Sequence, residues 1–213
     1  MSNKIDDTSA KLDQSSELRH EAVDPGVAAN ERLTALTGAL LFVLLAAMGI
    51  TVLRVRQLLP EHFLLGFLLI PPLVLKMAST GYRFVRYYSS NPSYRRAGPP
   101  RWPMRLLAPI VVLSTAVLFT TGLELWLFGL RFGSVWVVAH KLSFVLWLPA
   151  AGIHILWYLR RSAETAAEEF GSAAPPAALT RRGLVVGSLV AGAALALATQ
   201  TYQSPFIFFQ DAG

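Results

Sequence analysis

Cysteine is absent from the 213-residue chain, and charged residues are scarce, at 15% of the composition. The absence of thiols excludes disulfides, iron–sulfur clusters, thiolate zinc sites and covalent attachment of c-type haem. Soluble domains average about 25% charged residues. Because the chain is also 54% hydrophobic, its composition predicts an integral membrane protein. The sequence has no phosphate-binding loop, HExxH or Gly-x-Ser-x-Gly motif, so it gives no sign of nucleotide or hydrolase chemistry.

Apolar segments divide the chain, and four of them have at least the roughly 20 residues that a helix needs to cross a bilayer. A shorter fifth segment is rich in alanine and glycine, which allow close helix contact. The five segments are residues 33–53, 62–82, 106–130, 135–159 and 183–199. We therefore expect an all-α membrane protein, an antiparallel four-helix transmembrane bundle with a fifth transmembrane helix. The predicted parts are a disordered cytoplasmic tail (1–31), the bundle (32–160), a cytoplasmic linker (161–182), and the fifth helix with an outer C-terminal tail (183–213).

Arginine is distributed unequally between the connections. Residues 83–105 and 160–182 carry ten arginines, whereas the other two short connections carry only Arg54, Arg56 and Arg131. Basic loops stay on the cytoplasmic side of a membrane. We therefore expect a multi-pass protein of the cell inner (plasma) membrane, with the N-terminus in the cytoplasm and the C-terminus outside. Because the arginines lie between apolar segments, the net charge of +6 reflects topology, and we expect a lipid bilayer and no nucleic acid as partner.

Histidines mark the second and fourth segments. His140 and His154 are fourteen positions apart, which in an α-helix is a rise of about 21 Å with both side chains on roughly one face. His62 opens the second segment at about the depth of His140, and Lys76 follows His62 by the same fourteen positions. His62 and His154 differ in depth by about 20 Å. Only His62 and His140 can therefore share one metal ion.

Residues 33–160 resemble the diheme cytochrome b superfamily. The resemblance lies in the four-helix layout, the fourteen-residue spacing of the histidines and the position of His62. This superfamily includes respiratory cytochrome b and the membrane cytochrome subunits of formate dehydrogenases and hydrogenases. The resemblance implies haem b as cofactor, with His62 and His140 as axial ligands of one haem and His154 as a ligand of a second. Lys76 stands where the family has histidine. The resemblance also implies a redox partner subunit, such as a molybdenum or iron–sulfur protein, and quinone as a further carrier.

Several residues have more than one interpretation. Lys76 could extend to the cytoplasmic interface, pair with a haem propionate, or bind iron through a neutral amine. Glu124 and Lys141 have equal depth, which favours an ion pair, while a proton relay near a quinone is the alternative role of Glu124. Gly66 and Gly122 could let a flat macrocycle approach the backbone or serve ordinary helix packing.

The leading interpretation is a b-type cytochrome that carries electrons within or across the membrane, between a redox partner protein and quinone or another carrier. Such a chain is an electron-transfer subunit of an oxidoreductase and not an enzyme alone. The alternative is a non-redox membrane scaffold or small transporter component, in which the histidines make structural polar contacts or form a proton path.

Overall fold

A computed structural model of the chain describes residues 24–99 and 101–202, which form six α-helices and a final 3-10 turn. The elements are α1 (Pro25–Leu53), α2 (Leu59–Tyr88), α3 (Pro92–Arg96), α4 (Trp102–Phe128), α5 (Val135–Phe170), α6 (Ala178–Thr199) and the turn Gln200–Tyr202. The predicted all-α class is confirmed over this part of the chain. The predictions for residues 1–23 and for the tail at 203–213 lie outside the described residues.

Five of these helices are long and apolar enough to cross a membrane. Their most apolar windows are only 11–28% buried inside the protein, although their mean hydropathy is between 1.6 and 2.4. So much exposed apolar surface is unfavourable in water, whereas it is favourable in contact with the acyl chains of a bilayer. The described chain therefore has the character of a multi-pass membrane protein.

The first helix begins earlier than predicted. Pro25 occupies the first turn, and the Asp24 carboxylate accepts hydrogen bonds from the amides of Gly26 at 2.8 Å and Val27 at 3.3 Å. Proline at this position and a capping aspartate are both favourable at a helix start. The predicted boundary between a disordered tail (1–31) and the bundle is therefore wrong over residues 25–31, which are helical.

The two arginine-rich connections are shorter than predicted. The second helix continues to Tyr88, and part of the expected irregular loop at 83–105 forms α3. The fourth apolar segment continues as helix to Phe170, into the linker expected at 161–182, and leaves only residues 171–177 as a connection. An exposed ion pair four residues apart, Arg160 to Glu164 at 2.8 Å, adds to the polar part of this helix.

Helix packing places α1 centrally among the other long helices. The main neighbouring pairs are α1 with α2, α1 with α5, α4 with α5, and α2 with α6. The helices that carry the predicted site residues, α2 and α5, are not among the closely packed pairs of the described chain. Long side chains from α2 and α5 must therefore bridge the space between them.

The contact of α6 with α2 depends on a proline and a glycine. Pro72 has no N–H, so the Leu68 carbonyl lacks its usual partner four residues on. This carbonyl faces Gly192 so closely that a Cβ atom at residue 192 would overlap the Leu68 oxygen. The close approach confirms the expected role of small residues in the fifth apolar segment.

At the end of the helices that carries the connections 89–101 and 171–177, hereafter the arginine-rich end, ion pairs join four helices. Glu31 of α1 bonds Arg83 of α2 at 2.5 Å and Arg161 of α5 at 2.8 Å. Between α5 and α6, one oxygen of the fully buried Glu169 carboxylate accepts from Arg181 Nε at 3.0 Å and Nη2 at 2.7 Å. Because each of these pairs joins different helices, the network fixes their relative positions.

Candidate functional site

The imidazoles of His62 and His140 meet in the space between α2 and α5. Their ring centres are 6.3 Å apart, and their planes are nearly perpendicular at 85°. His62 lies in the first turn of α2, and His140 lies in the second turn of α5. Both positions are near the end of the helices that carries the connections 54–58 and 129–134, hereafter the hairpin end. The equal depth expected for this pair therefore agrees with the geometry.

The His62 ring is held by a threonine from α1. Thr51 is only 4% exposed, and its Oγ1 lies 3.0 Å from His62 Nδ1. The single hydroxyl hydrogen of Thr51 is donated to the Met48 carbonyl, at 2.7 Å. A hydroxyl that donates to Met48 can only accept at its other side, which favours Nδ1–H of His62 as the donor.

The His140 ring has the corresponding arrangement with α4. Thr121 Oγ1 lies 3.0 Å from His140 Nδ1 and donates its own hydrogen to backbone carbonyls of α4, Val117 and Leu118, each at 2.9 Å. The same arrangement favours a proton on Nδ1 of His140, and the acceptor, Thr121, lies on the helix that packs against α5.

These contacts bear on which nitrogen of each ring is available. A neutral imidazole carries one N–H; in the tautomer that the threonine contacts favour it is at Nδ1, and Nε2 then keeps its lone pair. Within the described part of the chain, neither Nε2 atom forms a hydrogen bond. An Nε2 lone pair is a metal ligand, and a hydrogen bond from Nδ1–H is the usual support of a metal-binding histidine.

Glycine and large apolar side chains surround the histidine pair. A Cβ atom at Gly122 would lie 3.2 Å from Cε1 of His140, so the lack of a side chain there leaves room for the ring. At Gly66 a Cβ atom would meet only Met48 Cε, at 3.9 Å. Further along the same helices, Phe67 packs edge-on against Trp126 at 4.9 Å. Of the two glycines singled out in the sequence, Gly122 is thus the one that contacts the site.

His154 lies in the other half of α5, with its ring 5.0 Å from that of Tyr158. Its Nδ1 is buried and has no hydrogen-bond partner in the described residues. It therefore differs from His62 and His140, each of which has a threonine at Nδ1.

The Lys76 amine is directed to α1. Its Nζ donates a hydrogen bond to the Thr34 carbonyl at 2.6 Å. A Cβ atom at Gly38 would lie 3.0 Å from this nitrogen and 3.2 Å from Ser162 Oγ. Ser162 follows His154 by eight residues, about 12 Å along a helix. The structure therefore brings His62 and His140 together, whereas the Lys76 amine lies nearer the arginine-rich end than His154.

The expected ion pair between Glu124 and Lys141 is wrong. The two side chains form no ion pair within the described residues, and Lys141 is exposed. The neighbouring residue, His140, is the one that faces Thr121 of α4. One residue further along, a helical side chain is rotated by about 100°, which turns Lys141 away from α4.

Sequence reasoning missed the two threonines. In a helical hairpin, residues equally distant from the turn lie at similar depth, so Thr51 and His62 could have been paired across 54–58. The same applies approximately to Thr121 and His140 across 129–134. Within the described residues, no group of three or more His, Asp or Glu side chains could hold a metal ion. Comparison with protein-family models, with curated proteins and with solved structures finds no match to this chain.

Proposed function

We propose that this protein is a b-type cytochrome, which binds haem between His62 and His140 and carries electrons in the membrane. The single observation that carries the proposal is the separation of the two imidazoles, with ring centres 6.3 Å apart. The proposal rests on whether this separation, the available nitrogens and the surroundings fit a haem.

The separation agrees with two imidazoles on opposite sides of one metal ion. An imidazole nitrogen binds a metal ion at about 2.0–2.1 Å. With roughly 1.1 Å from the nitrogen to the ring centre, two such rings on one axis have centres roughly 6.3 Å apart. The residues present therefore fit the group.

The protein contributes ligands, orientation and a membrane environment. His62 and His140 would hold the haem through Nε2, and Gly122 leaves room beside the His140 ring. Haem b, when bound, supplies one-electron chemistry between ferric and ferrous iron. The two helices α2 and α5 each pack on α1 and are not closely packed on each other, and we place the cofactor between them.

The architecture that follows is a four-helix haem-binding bundle of α1, α2, α4 and α5, with α6 attached to α2. In the same proposal the arginine-rich end faces the cytoplasm of an inner membrane, so the N-terminus is inside and the C-terminus outside. A redox partner, either a molybdenum or an iron–sulfur subunit, and quinone or another carrier are the two ends of the electron path. The unequal distribution of arginine supports this orientation.

A second haem at His154 stays a prediction, with Lys76 as its second ligand. The contacts of Lys76 with Thr34 and Gly38 favour an anchoring role for its amine. We therefore propose one haem per chain and use the stoichiometry as the test. Pyridine haemochrome analysis of the purified protein should give one haem b per chain, and a value of two would establish the inner site.

Histidine variants test the ligands directly. His62→Ala and His140→Ala should each abolish the Soret band and the reduced α-band, because neither ring has a substitute in the described residues. His154→Ala is the matched control and should keep the full haem content. Wild-type protein that is colourless after expression with ample haem would refute the cytochrome proposal and favour the non-redox scaffold or transporter. Full haem retention in His62→Ala would refute the ligand pair.

A further inference from the structure

We propose that Thr51 and Thr121 are positioning residues that set the tautomer, the orientation and the donor strength of His62 and His140. This inference rests on the proposed function, because its consequences are expressed through a metal bound at Nε2. The two threonines come from different helices, α1 and α4, and each lies 3.0 Å from the Nδ1 atom of its histidine. They form the same arrangement twice, once on each side of the site.

A threonine in a membrane helix ordinarily bonds only its own backbone. Thr37 of α1 does this, donating to the Leu33 carbonyl at 2.7 Å. Thr51 and Thr121 make the same kind of backbone bond and, in addition, accept from an imidazole. The hydrogen bond to the backbone makes each threonine an acceptor, because it uses the hydroxyl hydrogen and leaves only the oxygen lone pairs toward the imidazole ring.

The acceptor at Nδ1 has two consequences for each histidine. It holds the proton on Nδ1, which keeps Nε2 as the ligating nitrogen, and it fixes the ring about its Cβ–Cγ bond. It also draws the N–H proton outward, which makes Nε2 a stronger electron donor. A stronger donor stabilises ferric iron more than ferrous iron, so both threonines lower the reduction potential of the bound group.

The two threonines make equivalent contacts. Each hydroxyl oxygen lies 3.0 Å from Nδ1 of its histidine, and the two residues are almost equally buried, at 4% and 5% exposure. Removal of either hydroxyl should therefore change the site in the same direction.

The experiment compares threonine-to-valine variants, which remove the hydroxyl and keep the branched shape. Thr51→Val should shift the ferric/ferrous equilibrium about threefold toward ferrous iron, a rise in potential of roughly 28 mV for a one-electron couple. It should also weaken haem binding by about tenfold, as for other residues that support metal ligands. Thr121→Val should show changes in the same direction.

Two kinds of control separate positioning from structure. Thr37→Val and Thr115→Val remove buried hydroxyls of α1 and α4 that bond a backbone carbonyl and the Trp147 indole, and both should keep the wild-type potential. Thr51→Ser keeps the hydroxyl and should restore the wild-type potential. An unchanged potential in Thr51→Val, or equal shifts in Thr37→Val and Thr51→Val, would overturn the inference.

A measurement without haem makes the inference independent of cofactor loading. In apo-protein labelled with ¹⁵N-histidine and placed in lipid nanodiscs, the ¹⁵N shifts of His62 and His140 should show the Nδ1–H tautomer. Thr51→Val should move His62 toward the Nε2–H tautomer. A colourless wild-type protein would refute the cytochrome proposal alone, because the tautomer signals still decide the role of the threonines. An Nε2–H signal for both histidines in the wild type would refute that role.

Discussion

Replacing Gly192 by alanine tests how α6 is attached to the rest of the protein. The added Cβ atom would overlap the Leu68 oxygen and lie 3.1 Å from its carbonyl carbon and 3.3 Å from its Cα atom. All three atoms belong to the backbone of α2, so no side-chain rotation can relieve the overlap. One helix must move away from the other, and the separation weakens the main contact between α2 and α6.

The expected cost follows from the contacts that are lost. Overpacking a close contact typically costs about 1–3 kcal/mol. We therefore expect Gly192→Ala to be less stable than its control by roughly 1–3 kcal/mol.

The matched control is Gly187→Ala, five residues earlier on the same helix. A Cβ atom at residue 187 would meet no atom within 4 Å in the described structure. Both variants gain the same helix propensity, so their difference isolates the contact with Leu68. Reversible unfolding in mixed detergent micelles, followed by helical circular dichroism, measures both. Equal stability of the two variants would refute the tight attachment of α6 at Leu68.

Three further predictions concern the arginine-rich end and the site. Glu169→Gln leaves the buried Arg181 guanidinium without its counter-charge and should lower the stability by about 3–5 kcal/mol in the same assay. The control, Glu164→Gln, alters an exposed pair and should lower the stability by less than about 0.5 kcal/mol. Similar losses of stability in the two variants would contradict the burial argument. The Cβ atom added by Gly122→Ala crowds the His140 ring and should lower the haem affinity in a titration of apo-protein. An unchanged affinity would show that the ring can move away from residue 122 without loss of binding. The Ser93 hydroxyl and nearby amides hold the pKa of the Asp24 carboxyl below its ordinary value, so the stabilising effect of Asp24 is present above about pH 4 and is lost as the pH falls further. Asp24→Asn keeps a capping oxygen and should flatten this part of the profile of stability against pH. An unaltered profile would exclude Asp24 as the cause of the pH dependence.

Depth along the membrane could be predicted from the sequence, because it depends only on the helical rise and the positions of the turns. The equal depth of His62 and His140 is an example, and the structure places their rings together. Helix ends were less predictable. Hydropathy alone predicts that the fourth segment ends near residue 159. The helix continues through polar residues to Phe170, and ion pairs with other helices stabilise this continuation.

Rotation about the helix axes could not be predicted, because it depends on how helices pack. Glu124 and Lys141 have equal depth, yet His140 occupies the face that Lys141 needed for an ion pair. Thr51 and Thr121 also have suitable depth, but nothing in one sequence shows that their hydroxyls face imidazoles. Depth therefore yields candidates, and only the packing selects among them.

The two halves of α5 show why matching depth does not make equal sites. Near the hairpin end, His140 is oriented by a hydroxyl from α4 and meets a second ring similarly oriented by α1. Toward the arginine-rich end, the polar groups serve helix attachment instead: Lys76 bonds the backbone of α1, and Glu169 bonds Arg181 of α6. His154 lies between these regions with no hydrogen-bond partner for Nδ1 in the described residues. A hydrogen bond from the second nitrogen is the usual support of a metal-binding histidine, and His62 and His140 have a threonine in that position. We therefore base the proposed one-haem stoichiometry on the contacts around each ring and not on the count of histidines.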